Sequence, residues 1–314
     1  MKPYPLKFKA IYKELIWGGS KLRNSLNKDF PADKKIGESW ELVDLPSDKS
    51  IVTSGELAGQ SITDVLQKYP QQIIGQKNYQ PPFGLLIKFI DANEVLSVQV
   101  HPDAEAAKKL KNARLKSECW YIIDGQPGAC IYKGLKPGTT KTMFEQAIKD
   151  GSCAELLNKV VVKPGECHFL PAGTVHAIGA GNLIAEIQAP SDTTYRVFDW
   201  NRLQDGKPRQ LHIAEALESI HFNQDPDVLT VRETGRLVDC NLFKVDKITS
   251  QSGSSGSIAK GIAKVIVIIK GSGKITSAGI DAVDFSIGQT ILLPAEFEGK
   301  FLFETDTVYL SATL

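Results

Sequence analysis

The residues best placed to do chemistry lie on one short stretch, Val-Leu-Ser-Val-Gln-Val-His at positions 95–101. Its alternation predicts a β-strand, in which successive side chains point to opposite faces. Ser97, Gln99 and His101 therefore share one face, and the apolar residues between them share the other. The apolar face should pack into the protein, so the polar face lies against either solvent or a polar cavity.

Ionisable residues in apolar surroundings occur at three further places. Lys88 lies within an apolar strand at 85–90, Glu118 opens a strand of aromatic and aliphatic residues, and His176 follows a tight-turn signal at 171–173. A lysine in such a strand requires a counter-charge, which is either an anionic ligand or a carboxylate. Together with the polar strand, these segments favour a polar cavity over a solvated face.

Four of these residues form a candidate metal site. Gln99, His101, Glu118 and His176 offer two imidazole nitrogens and two side-chain oxygens. This mixed set suits Zn²⁺ with an exchangeable position and hardly a closed structural site. His168, at the edge of the turn, is expected to be an ordinary hydrogen-bonded histidine.

Glu186 and Arg196 occupy two consecutive predicted strands that are otherwise largely apolar. Two interpretations remain open for them. They could form a partly buried ion pair with each other, or they could act separately on a substrate. A carboxylate in apolar surroundings has a raised pKa, which makes Glu186 the first candidate for a general base.

The chain is predicted to be mainly β. Short segments rich in β-branched and aromatic residues predict strands at 84–91, 94–101, 118–124, 129–133, 182–188 and 193–200. Leu, Ile or Ala at helical spacing predicts helices, confined to inserts, at 61–69, 103–110, 142–150, 154–158 and 211–220. Ser61 is a good N-cap for the first of these helices.

The texture of the sequence changes at about 225–236, and the remainder is predicted to be a small all-β domain. Strands are predicted at 242–248, 263–269, 289–293 and 308–312, a flexible polar loop at 251–257 and a hairpin turn at 270–274. The part after about residue 230 contains no histidine, and its only cysteine is Cys240. It therefore lacks the usual nitrogen and sulfur ligands of a transition metal, and we expect it to be structural.

The charge balance, hydropathy and cysteine content of the chain indicate which partners and which cellular compartment are expected. With 37 basic and 36 acidic residues among 314, the chain has no general attraction for nucleic acid or an anionic membrane. It shows no apolar signal core and no apolar stretch long enough to span a bilayer. The five cysteines are scattered and odd in number. Reduced thiols in a cytoplasmic protein are therefore expected.

Several motifs resemble the type I mannose-6-phosphate isomerases, in their short bacterial form. They are Tyr-Lys-Glu-Leu-Ile-Trp-Gly-Gly at 12–19, Gly-Glu-Ser-Trp-Glu at 37–41, Leu-Ser-Val-Gln-Val-His-Pro at 96–102 and Ser-Asp-Thr-Thr-Tyr-Arg at 191–196. The resemblance implies a fold of the cupin superfamily with two jelly-roll β-barrel domains and helical inserts in the N-terminal part. Residues 1–230 would form the catalytic, metal-binding domain, and residues 231–314 a cupin-like domain without metal ligands.

The resemblance also implies one zinc per chain, bound by Gln99, His101, Glu118 and His176. It implies substrate contacts at Lys88, Ser97, Lys116 and Arg196, with Glu186 near the sugar. We expect the catalytic residues to be Arg196, Glu186 and Lys116, and the substrate-binding residues to be Lys88, Ser97 and Asp192. Longer members have His-Lys-Pro-Glu where this chain has Leu-Lys-Ser-Glu at 115–118, so the lysine and the glutamate persist. A lysine at 88 or 116, with the hydroxyl of Ser97, would hold the phosphate.

The expected reaction interconverts mannose 6-phosphate and fructose 6-phosphate through a cis-enediol, in a monomer or a homodimer. One alternative is an isomerase of another hexose phosphate. An iron-dependent oxygenase is a second, although such sites usually present two histidines and one carboxylate, without an amide such as Gln99. A non-catalytic sugar-phosphate-binding protein is the third.

Overall fold

The structure is a computed structural model that describes residues 1–204, 206–223 and 234–314, together with the backbone of Thr230–Val231. Antiparallel strands dominate. Up to residue 231 the strands are β1 (Leu6–Lys7), β2 (Ile11–Gly19), β3 (Ile36–Leu42), β4 (Leu86–Ala92), β5 (Val98–Val100), β6 (Glu118–Gly125), β7 (Cys130–Leu135), β8 (Leu157–Val161), β9 (Glu166–Leu170), β10 (His176–Ile178), β11 (Asn182–Gln188), β12 (Tyr195–Phe198), β13 (Leu203–Gln204), β14 (Lys207–Pro208) and β15 (Thr230–Val231).

The remaining described residues are almost wholly β-structure. Their strands are β16 (Gly235–Asp239), β17 (Lys244–Ser250), β18 (Ser255–Ile258), β19 (Lys264–Lys270), β20 (Ser272–Thr276), β21 (Val283–Ser286), β22 (Thr290–Leu293), β23 (Gly299–Phe303) and β24 (Thr307–Thr313). The described helices are α1 (Lys21–Leu26), α2 (Ile62–Lys68), α3 (Pro70–Ile74), α4 (Ala104–Lys109), α5 (Lys141–Asp150) and α6 (Ile213–Ser219), with a 3₁₀ turn at Cys153–Leu156.

The strands form two sandwiches of facing sheets. In the first, a seven-stranded sheet in the order β15-β9-β6-β11-β4-β3-β2 faces a five-stranded sheet in the order β12-β5-β10-β7-β8. Trp120 and Ile131, one from each sheet, lie in the apolar cluster between them. In the second, the six-stranded sheet β1-β22-β19-β24-β17-β16 faces the four-stranded sheet β18-β23-β20-β21, with Ile266 and Phe301 between them. The chain has the expected mainly β, cupin-type architecture.

The two sandwiches pack against each other. Phe89 and Ile187, on the seven-stranded sheet, share a buried apolar cluster with Val267 and Leu310 of the six-stranded sheet. Strand β1, at the start of the chain, pairs with β22 near its end. The C-terminal sheet therefore includes an N-terminal strand, and burying apolar area between the layers stabilises both sandwiches.

Helices cover the outer face of the five-stranded sheet. Phe144 of α5 and Ala216 of α6 lie in one buried cluster with Val98, Val100 and Val197. The apolar face of the 95–101 segment is thus packed under helices, as its alternation predicts. Its polar face is consequently turned to the inside of the sandwich. None of the described helices has the length and apolar character needed to cross a membrane.

Most of the predicted elements are confirmed. The predicted strand at 182–188 coincides with β11, and α2 begins after Ser61, whose hydroxyl accepts a hydrogen bond from the backbone N–H of Asp64 as an N-cap should. The predicted strand at 94–101 is too long, because only Val98–Val100 joins the ladder. The change of texture at 225–236 lies largely outside the described residues.

Three local predictions are wrong. The helix predicted at 154–158 is a 3₁₀ turn at Cys153–Leu156 that leads into β8. The loop predicted at 251–257 contains the start of β18, which pairs with β23. At 270–274 there is no hairpin, since β19 and β20 pair with other strands and belong to different sheets. Gly271, with φ of +91°, turns the chain from one sheet to the other, which uses glycine's access to positive φ for a corner.

Candidate active site

Two groups of neighbouring strands bring the predicted site residues together. In the five-stranded sheet, Gln99 of β5 lies directly opposite His176 on one side and Arg196 on the other. In the seven-stranded sheet, Glu186 of β11 lies between Lys88 of β4 and Trp120 of β6. Because residues directly opposite each other project from the same face, each sheet presents its polar residues as a row. The two rows meet inside the first sandwich.

His101, Glu118 and His176 form a compact buried cluster, with one potential ligand atom from each lying within 4.8 Å of the others. The Nε2 atoms of His101 and His176 lie 3.3 Å and 3.4 Å from the two carboxylate oxygens of Glu118. The Nδ1 atoms face backbone carbonyls instead, at 2.9 Å from that of Thr193 and 2.8 Å from that of Thr174. Each Nδ1–H donates to its carbonyl, which leaves the Nε2 lone pairs directed at Glu118.

The protonation states of the cluster suit a metal. Burial, and then the neighbouring Lys116 ammonium, lowers the pKa of His101 to about 3. Burial likewise lowers the pKa of His176. Burial alone would raise the pKa of Glu118, but Lys116 and His101 outweigh it and hold that pKa well below its ordinary value. At neutral pH the cluster therefore presents two neutral imidazoles and one carboxylate, the forms that ligate metals.

One carboxylate oxygen of the cluster is unsatisfied without a cation. Oε1 of Glu118 is buried and has no hydrogen-bond partner among the described residues. Such an orphaned carboxylate oxygen beside two imidazole lone pairs fits a metal site. Gln99 is adjacent, with its amide nitrogen 3.4 Å from Nε2 of His176 and its amide oxygen accepting from the Ser97 hydroxyl at 3.3 Å. For Gln99 to bind a metal through its amide oxygen, the amide group would have to rotate by about 180° and exchange the positions of its oxygen and nitrogen.

Lys116 supplies a positive charge at the same place. Its Nζ donates to Oε2 of Glu118 at 2.5 Å and to Nε2 of His101 at 2.8 Å. The side chain is almost completely buried, so its ammonium compensates the charge of Glu118 in low-dielectric surroundings. These two acceptor atoms cannot hold the ammonium and a metal at once.

Lys88 forms a second buried charge centre. Its Nζ lies 3.2 Å from Oε1 of Glu186 and 3.5 Å from Oε2 of Glu38. Burial opposes the charge, but Glu38 and Glu186 raise the pKa of Lys88. The counter-charge that Lys88 requires is thus a pair of carboxylates. Glu186 and Arg196 do not form an ion pair, and that interpretation is wrong because the strand register places Glu186 opposite Lys88.

Glu186 lies among apolar and aromatic side chains. Its Oε2 accepts a hydrogen bond from the indole N–H of Trp120 at 2.9 Å, and the residue is only 3% exposed. Burial, followed by the negative charge of Glu118, raises the pKa of Glu186 despite the opposing charge of Lys88. A carboxylate with a raised pKa is a stronger base than an exposed one.

Lys88, Gln99, Lys116 and Glu186 open onto one cavity of about 350 Å³, which is large enough for a small metabolite. Its lining residues are Leu15, Trp17, Glu38, Lys88, Ile90, Leu96, Ser97, Gln99, Lys116, Ile178, Glu186, Asp192, Thr194, Arg196 and Arg209. Asp192 is exposed, whereas Ser97 is buried. The three cluster residues lie behind Gln99 and Lys116, with which they are in contact.

Two cavity residues escaped the sequence analysis. Glu38 lies in the 37–41 motif, and its charge within the largely buried strand β3 was an available signal. Arg209 directly follows the exposed hairpin strand β14 in a segment without periodicity, so no local pattern marked it. His168, by contrast, contacts Glu166 through Nε2 at 3.3 Å, as expected for an ordinary buried histidine.

The turn before His176 depends on glycine. Gly173 has φ of +86°, and a Cβ there would come within 2.6 Å of the His221 ring. We expect Gly173→Ala to lower the free energy of unfolding by about 1–3 kcal/mol more than Gly138→Ala, measured by urea denaturation. Gly138 has φ of +81° and open space around its Cβ position, so it isolates the backbone penalty from the clash. Equal losses in the two variants would contradict the clash with His221.

A mainly β, cupin-type sandwich with a candidate metal-binding His/Glu/His cluster next to a polar cavity is typical of small-molecule enzymes. A family model described as the catalytic domain of type I phosphomannose isomerase matches residues 6–121. Mannose-6-phosphate isomerases from Bacillus subtilis and Streptococcus mutans are 38% and 34% identical, with coverage of 97% and 92% of both chains, respectively. The chain therefore belongs to the type I phosphomannose isomerase family.

Solved structures agree with the family. The crystal structure of the mannose 6-phosphate isomerase from Bacillus subtilis superposes with a TM-score of 0.89 at 30% sequence identity, covering 98% of this chain and 99% of that one. A mutant phosphomannose isomerase from Salmonella typhimurium superposes with a TM-score of 0.77 at 16% identity, covering 99% of this chain and all of that one. The second match supports the fold alone.

Proposed function

We propose that this chain is a zinc-dependent mannose-6-phosphate isomerase that interconverts mannose 6-phosphate and fructose 6-phosphate through a cis-enediol intermediate. The observation that carries the proposal is one cavity lined by Glu186, a buried carboxylate with a raised pKa, and by Gln99 and Lys116, which contact the His/Glu/His cluster behind them. Membership of the type I phosphomannose isomerase family supports the choice of substrate.

The reaction requires a weakly acidic carbon-bound proton to move between C2 and C1. In the same conversion a proton passes from O2 to O1, so the C1 aldehyde becomes a hydroxyl and C2 becomes a ketone. A zinc ion held by Gln99, His101, Glu118 and His176 would, when bound, act as a Lewis acid toward the sugar oxygens. The chain's other polar residues must move the proton and balance the charge.

Glu186 is the proposed base. Its buried carboxylate takes the proton from one carbon and returns it to the other, while Trp120 and Lys88 fix its orientation from two sides. Lys116 and Arg196 both line the cavity. Lys116 balances the negative charge that develops on the enediolate, and Arg196 balances that of the enediolate or of the phosphate. Ser97 and Asp192 are available to hydrogen-bond the sugar.

We assign the chemistry to residues 1–230 and a structural role to residues 231–314. This division is supported by the cavity, whose lining residues in the described part of the chain end at Arg209. A hexose 6-phosphate is the proposed partner, and a cytoplasmic monomer or homodimer the proposed form. An iron-dependent oxygenase is less favoured, because Gln99 touches the cluster where such enzymes usually leave the site to substrate and oxygen.

The first test is a coupled isomerase assay across hexose 6-phosphates. We expect turnover of mannose 6-phosphate to exceed that of other hexose 6-phosphates, to fall to background after dialysis against a chelator and to return with Zn²⁺. Metal analysis should give one zinc per chain. Preference for another hexose phosphate would overturn the substrate assignment, and full activity of metal-free protein would overturn the zinc dependence.

A further inference from the structure

Two arginines converge on a single carboxylate at one end of the cavity. Asp199 accepts hydrogen bonds from Nε of Arg209 at 2.7 Å, from Nη2 of Arg209 at 2.6 Å and from Nη2 of Arg202 at 2.5 Å. Burial would raise the pKa of Asp199, but these hydrogen bonds lower it. Arg196 is close enough to Arg209 for the two cations to repel each other, which, after burial, lowers the pKa of Arg196.

The positive charge at this end is largely uncompensated. Arg196, Arg202 and Arg209 carry three charges, and Asp199 is the carboxylate that pairs with them in the described part of the chain. Among the lysines that line the same cavity, Lys88 already has two carboxylate partners and Lys116 has one. An incoming dianion therefore gains more from the arginines, because the lysine charges are already neutralised.

The two arginines on Asp199 differ in what they can still bind. The guanidinium of Arg202 donates hydrogen bonds to Asp199 from Nε and Nη2. Its Nη1 donates to the backbone carbonyl of Val95 at 2.5 Å. Arg209 contacts Asp199 with one edge of its guanidinium, and its Nη1 makes no hydrogen bond to the described residues. Arg209 also lines the cavity, and Nε of Arg196 beside it is buried with no hydrogen-bond partner among the residues that the structure describes. Free guanidinium donors in fixed orientation suit phosphate oxygens.

We propose that Arg209, held in place by Asp199, binds the phosphate of the substrate and makes the site specific for phosphorylated sugars. This inference rests on the proposed function for the identity of the substrate. Arg209 is a substrate-binding residue and Asp199 a positioning residue. With the phosphate held beside Arg196, the sugar would extend across the strands, from β12 towards Gln99 of β5, which lies directly opposite Arg196. The lysines are left to serve the reacting end.

The test compares Arg209→Met with Arg236→Met in the zinc-loaded enzyme. Arg236 is also paired with carboxylates, those of Asp239 and Asp246, but it lies outside the cavity and provides the matched control. For Arg209→Met we expect KM for mannose 6-phosphate to rise about 10- to 100-fold, the value of a charge-assisted hydrogen bond. We expect kcat to fall by less than about 5-fold, because the proton moves between C1 and C2, at the end of the sugar opposite to the phosphate.

Inorganic phosphate provides a second probe that needs no turnover. Calorimetric titration of the zinc-loaded protein should show phosphate binding that weakens about 10- to 100-fold in Arg209→Met and remains unchanged in Arg236→Met. Arg209→Lys should recover only part of the affinity, because a lysine cannot contact Asp199 and phosphate with one planar group. Asp199→Asn should raise KM in the same direction, since it releases Arg209.

Normal KM and normal phosphate affinity in a folded Arg209→Met variant would overturn the inference. Loss of both in Lys88→Met with Arg209→Met unaffected would place the phosphate at the lysine end and overturn it as well. If the wild-type chain binds phosphate through Arg209 but does not isomerise mannose 6-phosphate, the proposed function fails while the phosphate site stands. The two conclusions can therefore be separated.

Discussion

Glu186→Gln is expected to keep its zinc and its affinity for substrate while turnover falls by about 10²–10⁴-fold, the usual value of a positioned general base. The amide preserves the shape of the side chain and can still accept the indole N–H of Trp120. Lys88 keeps a carboxylate partner in Glu38, so the change does not leave an isolated buried cation. The loss should therefore appear in kcat and leave the free energy of unfolding nearly unchanged.

Exchange of the substrate C2 proton with solvent deuterium, followed by NMR, measures this step directly. The matched variant is Glu38→Gln, which removes the other carboxylate next to Lys88. Like Glu186, Glu38 accepts a hydrogen bond from an indole N–H, that of Trp40. We expect it to lower turnover by less than about 10-fold, since Glu38 is not the proton carrier. Exchange at the wild-type rate in Glu186→Gln would assign the proton transfer to another residue, and Lys116 is the next candidate.

His101→Ala and His176→Ala should each lose bound zinc and reduce turnover by about 10³-fold or more. Several kcal/mol of transition-state stabilisation depend on the Lewis acid, and each 1.36 kcal/mol corresponds to a factor of ten. Both imidazoles direct Nε2 at Glu118, so removing either leaves an incomplete set of donors. Metal content after dialysis, measured by atomic emission, and kcat should fall together.

His168→Ala is the matched control for these two changes. It removes a buried histidine from the same sandwich, but the ring contacts Glu166 and lies outside the His/Glu/His cluster. The variant should lose some stability from the cavity it creates and keep one zinc per chain. If His101→Ala and His176→Ala retained as much zinc as His168→Ala, the metal assignment would be wrong.

The features that could be predicted from the sequence are those that local physical rules determine. The alternation at 95–101 determined that Ser97 and Gln99 share a face, because strand side chains alternate whatever the rest of the fold does. The apolar partners on the other face determined which side is buried. A hydroxyl at Ser61 fixed the start of α2, since a helix N-terminus must satisfy its free N–H groups locally. The residue types of the candidate ligand set were likewise visible in the sequence.

Tertiary structure decided which groups are partners. Whether Glu186 pairs with Arg196 or with Lys88 depends on strand order and register, and these follow from long-range packing. The turn at Gly271 illustrates the same limit, because a Gly-Ser-Gly segment serves equally a hairpin or a corner between sheets. Arg209 lines the cavity with its guanidinium hydrogen-bonded to Asp199, ten residues earlier in the chain, a contact that no local pattern indicates. Sequence determined the faces and the kinds of ligand, and packing of the sheets determined the distances between them, because contacts across sheets join residues far apart in the chain.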